Sequence, residues 1–79
     1  MNNQKKLHKT ISDVLGIPES SIDEKSSQDN IEKWDSLAIV NMVTELETVF
    51  TVQFDVLEIL EFYSVEIIKL TLMEKGLKF

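Results

Sequence analysis

Few side chains in this sequence combine a reactive group with a setting that would use it. The strongest is Ser36, in the run Trp34-Asp35-Ser36-Leu37. Apolar periodicity starting just after it predicts a helix, so the hydroxyl falls at an exposed helix N-terminus. A serine nucleophile needs a base within hydrogen-bond reach. The chain has one histidine, His8, beside Leu7 in a lysine-rich stretch, and it reads as a surface residue. Neighbouring carboxylates such as Asp23 and Glu24 lie in polar sequence, without the apolar surroundings that raise a carboxyl pKa. The absence of cysteine, the lone histidine and the lack of an Asp-x-Asp-x-Asp-Gly loop leave no metal-ligand set. The only glycines are Gly16 and Gly76, so no glycine-rich loop can cradle phosphate. No catalytic residue and no metal site are predicted. Two uses of Ser36 remain: capping the helix, or accepting a modification. Asp35 can supply the cap itself, which makes the serine partly redundant for that task. A phosphate ester at Ser36 would sit near the positive end of the helix dipole, where an anion is favoured.

The elements that position this serine follow from the spacing. Leu7, Ile11, Val14 and Leu15 form one apolar stripe of a first helix over Asn3 to Leu15, stopped by Gly16 and Pro18. Residues 17 to 35 lack sustained periodicity and are rich in serine, aspartate and asparagine. This long loop is expected to be ordered, pinned to the core by Ile17, Ile22 and Ile31. The second helix is predicted from Ser36 to about Phe50, with Asp35 as N-cap. Its core side carries Ile39, Met42, Val43, Leu46, Val49 and Phe50. Its outer side carries Ser36, Leu37, Val40, Asn41, Thr44, Glu47 and Thr48. Phe54 to Leu60 reads as a short third helix capped by Asp55. The last helix should start after Ser64 and end near Lys75, with Val65, Ile68 and Leu72 as its stripe, Ile67 and Leu70 widening it, and Gly76 as C-terminal cap. Thr51-Val52-Gln53-Phe54 alternates, but one short strand would have nothing to pair with. The predicted fold is all-α: a small four-helix bundle, with three main helices, a short third one and a long loop between the first two.

The 79 residues, 43% hydrophobic, are enough for one small folded domain over residues 1–79. The stretch Met1-Asn2-Asn3-Gln4-Lys5-Lys6 leads into polar sequence, and no signal peptide or membrane span is visible, so a cytoplasmic, monomeric protein is expected. Between Glu19 and Glu66 twelve acidic residues face only Lys25 and Lys33. Such a field repels nucleic acid and anionic lipid and steers basic protein partners.

The run Asp35-Ser36-Leu37, followed by Val40, Val43-Thr44-Glu45-Leu46-Glu47 and Phe50, resembles the signature of acyl and peptidyl carrier proteins. Leu15-Gly16-Ile17 is similar to the end of that family's first helix, and Ser64-Val65 with Ile68 to the start of its last. The resemblance implies that Ser36 carries 4′-phosphopantetheine. A phosphopantetheinyl transferase would attach it from coenzyme A with Mg²⁺, and the arm's terminal thiol would hold acyl or aminoacyl groups as thioesters. It further implies no catalytic activity of the chain's own, and partners that include an acyl- or aminoacyl-loading ligase and downstream transferases. Asp35, Leu37, Val40 and Glu47 are the residues expected to meet these partners. Two departures narrow the resemblance. Ala38, Asn41 and Thr48 stand where fatty-acid carriers often bear acidic side chains. Trp34 replaces the usual small or aliphatic residue, a feature similar to discrete carriers of surface-polysaccharide, polyketide or nonribosomal peptide assembly. The rival reading is an unmodified acidic adaptor binding basic partners through Leu37, Val40 and Glu47.

Overall fold

The computed structural model describes residues 2–79; Met1, at the head of the polar lead-in, lies outside them. Among the described residues the chain forms four α-helices and no strand: α1 (Asn3–Leu15), α2 (Ser36–Phe50), α3 (Val56–Ile59) and α4 (Val65–Glu74). Each helix begins at a side chain that satisfies an orphan N–H. Asn2 accepts from the Lys5 amide, Asp35 from Ala38, Asp55 from Glu58 and Ser64 from Ile67. α1 ends at Gly16, whose φ of 69° is left-handed, and the Gly16 amide donates to the Ser12 carbonyl at 2.8 Å.

The core is built from rows spaced three and four residues apart. Leu7, Ile11 and Leu15 come from α1, Ala38, Met42, Leu46 and Phe50 from α2, and Val65, Ile68 and Leu72 from α4. Ile22, Trp34, Phe54 and Phe62 enter from the connections. Phe54 meets Phe62 edge to face with ring centroids 4.8 Å apart. Leu77 and Phe79 return to the bundle, and the Phe79 ring lies 6.2 Å from that of Phe50.

Several expectations need correction. Val49 was expected in the core but is 39% exposed. It shares a groove with Lys6, Lys9 and Thr10 of α1, so its neighbours are lysine stems rather than apolar side chains. Ala38, which stands where fatty-acid carriers often bear an acidic side chain, is only 7% exposed and takes a place in the buried row. Leu70, expected to widen the α4 stripe, faces outward. The short helix is tighter than Phe54 to Leu60, because a reciprocal capping box between Asp55 and Glu58 fixes its start after Asp55. The residue after α4 that caps it is Lys75, and Gly76, with φ 97°, follows in the left-handed region.

The long loop is ordered by specific bonds. A 3₁₀ turn spans Glu19–Ser21, and Ile22 is buried, while Ile17 and Ile31 are partly buried. Ser27 and Ser64 form an isolated antiparallel bridge. Beside it the Gln28 amide donates to the Tyr63 carbonyl at 2.8 Å, and the Val65 amide to the Ser26 carbonyl at 3.0 Å. The loop before α2 is thereby tied to the segment that starts α4.

Candidate functional site

Ser36 is the first residue of α2, and its side chain is exposed. The cap it would otherwise provide comes from Asp35, whose Oδ1 accepts from the Ala38 amide at 2.9 Å. The hydroxyl is thus relieved of the capping task, as the sequence suggested. On its C-terminal side Leu37 is 70% and Val40 58% exposed, an apolar strip beside the serine. Asn41 and Thr44 continue this face. The Thr44 and Thr48 hydroxyls donate back to the carbonyls four residues earlier, at 3.2 and 3.1 Å, which leaves the face polar but uncharged there.

Trp34 holds the other side. It is 1% exposed, and its Nε1–H donates to the Phe62 carbonyl at 3.1 Å inside the core. It packs the loop onto the bundle, and the indole hydrogen bond adds a specific anchor twenty-eight residues away. Nothing in the sequence marked Phe62 as that anchor, because a backbone carbonyl carries no residue signature.

Glu47, expected on the outer face, is held by local bonds. It is half-buried, and its Oε2 accepts from the Phe54 amide at 3.0 Å, while its carbonyl accepts from the Thr51 and Val52 amides. The side chain closes the C-terminal end of α2 against the next loop. Thr51 in that turn has φ 55°, a left-handed conformation that is costly for a β-branched residue.

His8 also differs from the surface residue expected. It is half-buried, and its Nε2 is enclosed without a hydrogen-bond partner among the described residues. It is far from the serine. Lys6, Lys9 and Thr10 line a groove with Val49, whereas Asp13 and Val14 line one with Asn41 and Thr44. The two helices therefore run antiparallel, with His8 level with the end of α2. Thirteen residues separate Ser36 from Val49, about 20 Å of helix at 1.5 Å per residue. That distance removes His8 as a base for Ser36. Among the described residues no three His, Cys, Asp or Glu side chains gather closely enough to hold a metal ion.

One exposed apolar row escaped the sequence reading. Val56, Leu57 and Leu60 around α3 and Tyr63 after it all face outward. The signal was present: Val56, Leu57, Ile59 and Leu60 crowd one short segment between carboxylates, and so short a segment cannot turn all four to one core face.

A small helical bundle that displays an unengaged serine at the head of its second helix has the architecture of a carrier protein. The pattern of the phosphopantetheine attachment-site family matches residues 5–66, and the chain belongs to that family. Its members bear 4′-phosphopantetheine covalently, so this is a phosphopantetheine-carrying carrier protein. Carrier domains of this kind are in general non-catalytic, and they work with phosphopantetheinyl transferases and biosynthetic enzymes. No curated protein matches the chain. No helix among the described residues is long and apolar enough to cross a membrane.

Proposed function

We propose that Ser36 is the attachment point of a cytoplasmic, monomeric carrier, and that residues 1–79 form one carrier domain. The observation that carries this reading is the exposed Ser36 hydroxyl at the first position of α2, with the cap already supplied by Asp35. The site fits the group: the hydroxyl is accessible, and the dipole of a fifteen-residue helix favours a phosphodiester at its head. In the attachment step the Ser36 Oγ–P bond forms as a P–O bond of the coenzyme A diphosphate breaks. The nucleotide portion leaves with the electron pair, and the transferase takes the hydroxyl proton. When bound, the arm supplies a thiol that a cysteine-free chain lacks, for acyl or aminoacyl thioesters.

The chain's own residues position and present. Trp34 fixes the loop, Asp35 fixes the start of α2, and Leu37 and Val40 offer apolar contact to the transferase, the loading ligase and downstream transferases. The weakly charged α2 face supports service in a specialised pathway over fatty-acid synthesis. Intact-protein mass after incubation with coenzyme A, Mg²⁺ and a broad-specificity phosphopantetheinyl transferase tests the reading. One added phosphopantetheine on the parent chain, none on Ser36→Ala, and unchanged helical circular dichroism in that variant are expected. Equal modification of Ser36→Ala would overturn it. An unmodified parent beside a modified control carrier would favour the adaptor reading or a carrier that demands its own transferase.

A further inference from the structure

Part of this chain's negative charge lies away from α2, around an apolar groove. On the outward face of α2, Leu37, Val40, Asn41, Thr44 and Thr48 carry no charge, with Asp35 at its head and Glu45 at its side. Between α3 and α4, by contrast, runs an open groove of about 340 Å³ to which no α2 residue contributes. Its apolar lining is Leu57, Ile67 and Leu70, with Leu57 75% and Leu70 52% exposed. Its rim carries the carboxylates of Asp55, Glu58, Glu61 and Glu74. Only Glu58 meets a cation among the described residues, the Lys75 Nζ at 2.9 Å. The carboxylates are spread around the groove rather than gathered, since no metal-holding cluster forms among the described residues. A metal ion does not suit such a rim, but several separate cationic side chains do.

The geometry points to a second docking surface, in which the α3–α4 groove receives an amphipathic helical segment of a protein partner, its apolar side on Leu57 and Leu70 and its arginines or lysines against Asp55, Glu61 and Glu74. The dimensions agree: Ile67 to Glu74 covers about 10 Å of α4, two turns of a partner helix. Anchors spaced three and four residues apart on such a segment match the apolar lining, and the carboxylates select its charge. Docking here leaves Ser36 and the strip beside it open, so a partner could hold the carrier through the groove while the arm serves another enzyme.

The probe is a synthetic fourteen-residue helical peptide with leucines on one face flanked by arginines; a control has glutamate in place of every arginine. Each is titrated into the ¹⁵N-labelled full chain and followed by amide chemical shifts. The arginine peptide is expected to shift amides within residues 55–61 and 66–75, more weakly at high salt, and the glutamate peptide to shift none. Leu70→Asp should abolish these shifts, and Glu61→Lys with Glu74→Lys should weaken binding about tenfold. All three positions are exposed, so the variants should keep the parent's circular dichroism. Shifts centred on residues 36–50, equal binding of both peptides, or no shifts at millimolar peptide would each overturn the inference. Ser36→Ala should bind the peptide like the parent, so failure of the attachment reading and failure of this one are seen separately.

Discussion

Trp34→Phe is the most informative single change. The indole of Trp34 is buried, and its N–H reaches the Phe62 carbonyl at 3.1 Å within the core. Phenylalanine keeps most of the apolar surface but removes the donor, leaving that carbonyl facing a non-polar ring. An unsatisfied buried acceptor costs about 1–3 kcal/mol, and the smaller ring adds part of a cavity term. A destabilisation of about 2–3 kcal/mol is expected on these grounds. A chain of this length is stable by about 4–12 kcal/mol, so Trp34→Phe should fold, whereas Trp34→Ala, at about 3–5 kcal/mol, approaches the limit. Urea unfolding followed by circular dichroism reads the effect. With a slope near 1 kcal/mol per molar for so small a protein, the midpoint should fall by about 2–3 M. A fall below about 0.5 M with unchanged slope would show that the indole hydrogen bond does not anchor the loop.

Asp35→Ala should cost about 1 kcal/mol by removing the α2 cap, while Ser36→Ala should change stability by less than about 0.5 kcal/mol; the reverse ranking in thermal unfolding would mean that Ser36 is the cap. Thr51→Gly should raise stability by up to about 1 kcal/mol, because relief of the left-handed strain outweighs the added freedom of the unfolded chain; a lower unfolding midpoint would refute this. Gly16→Ala should lose about 1–2 kcal/mol, although a Cβ there meets only the Lys33 Nζ at 3.8 Å, and neutral behaviour would count against φ as the cause. The Asp55 backbone N–H, and after it Lys75, hold the Glu58 carboxyl below its ordinary range. Its contribution is therefore complete above the usual glutamate pKa and is lost as pH falls through the lowered folded value. Glu58→Gln should be less stable than the parent at pH 7, with the gap closing on acidification below about pH 4; a gap constant with pH would refute it.

Much of this was legible from spacing. The apolar rows of α1 and α4, spaced three and four residues apart, and the cap signals at Asp35, Asp55 and Ser64 are local properties, and local rules find them. The exposed Ser36, Leu37 and Val40 followed from the same arithmetic. What escaped depends on neighbours. Val49 lies at a helical angle that suits burial, but the helix opposite presents Lys6 and Lys9 there. Ala38 is buried because its small side chain belongs to the row continued by Met42, and an isolated alanine gives no preference for either side. The bond of Glu47 to the Phe54 amide depends on a turn whose path the sequence does not specify. His8 was read from lysine neighbours in sequence, yet fractional burial is set by what packs across the helix.

The burial pattern around Ser36 bears on how a carrier of this family presents its arm. Trp34 is buried, Asp35, Ser36 and Leu37 are exposed, and Ala38 is buried again. The exposed triplet is therefore suspended between two core anchors only four positions apart. Each anchor also carries a hydrogen bond, from the Trp34 indole to Phe62 and from the Ala38 amide to Asp35. A segment held at both ends has little freedom to swing, so a serine displayed on it has a nearly fixed position and direction. With the proposed attachment at Ser36, reach must then come from the arm, and selectivity from the surfaces that surround it. For a protein whose task is to offer one group to several enzymes, a rigid base with a flexible extension is the favourable division. It confines the entropy lost on docking to the arm and spares the bundle from reordering at each encounter.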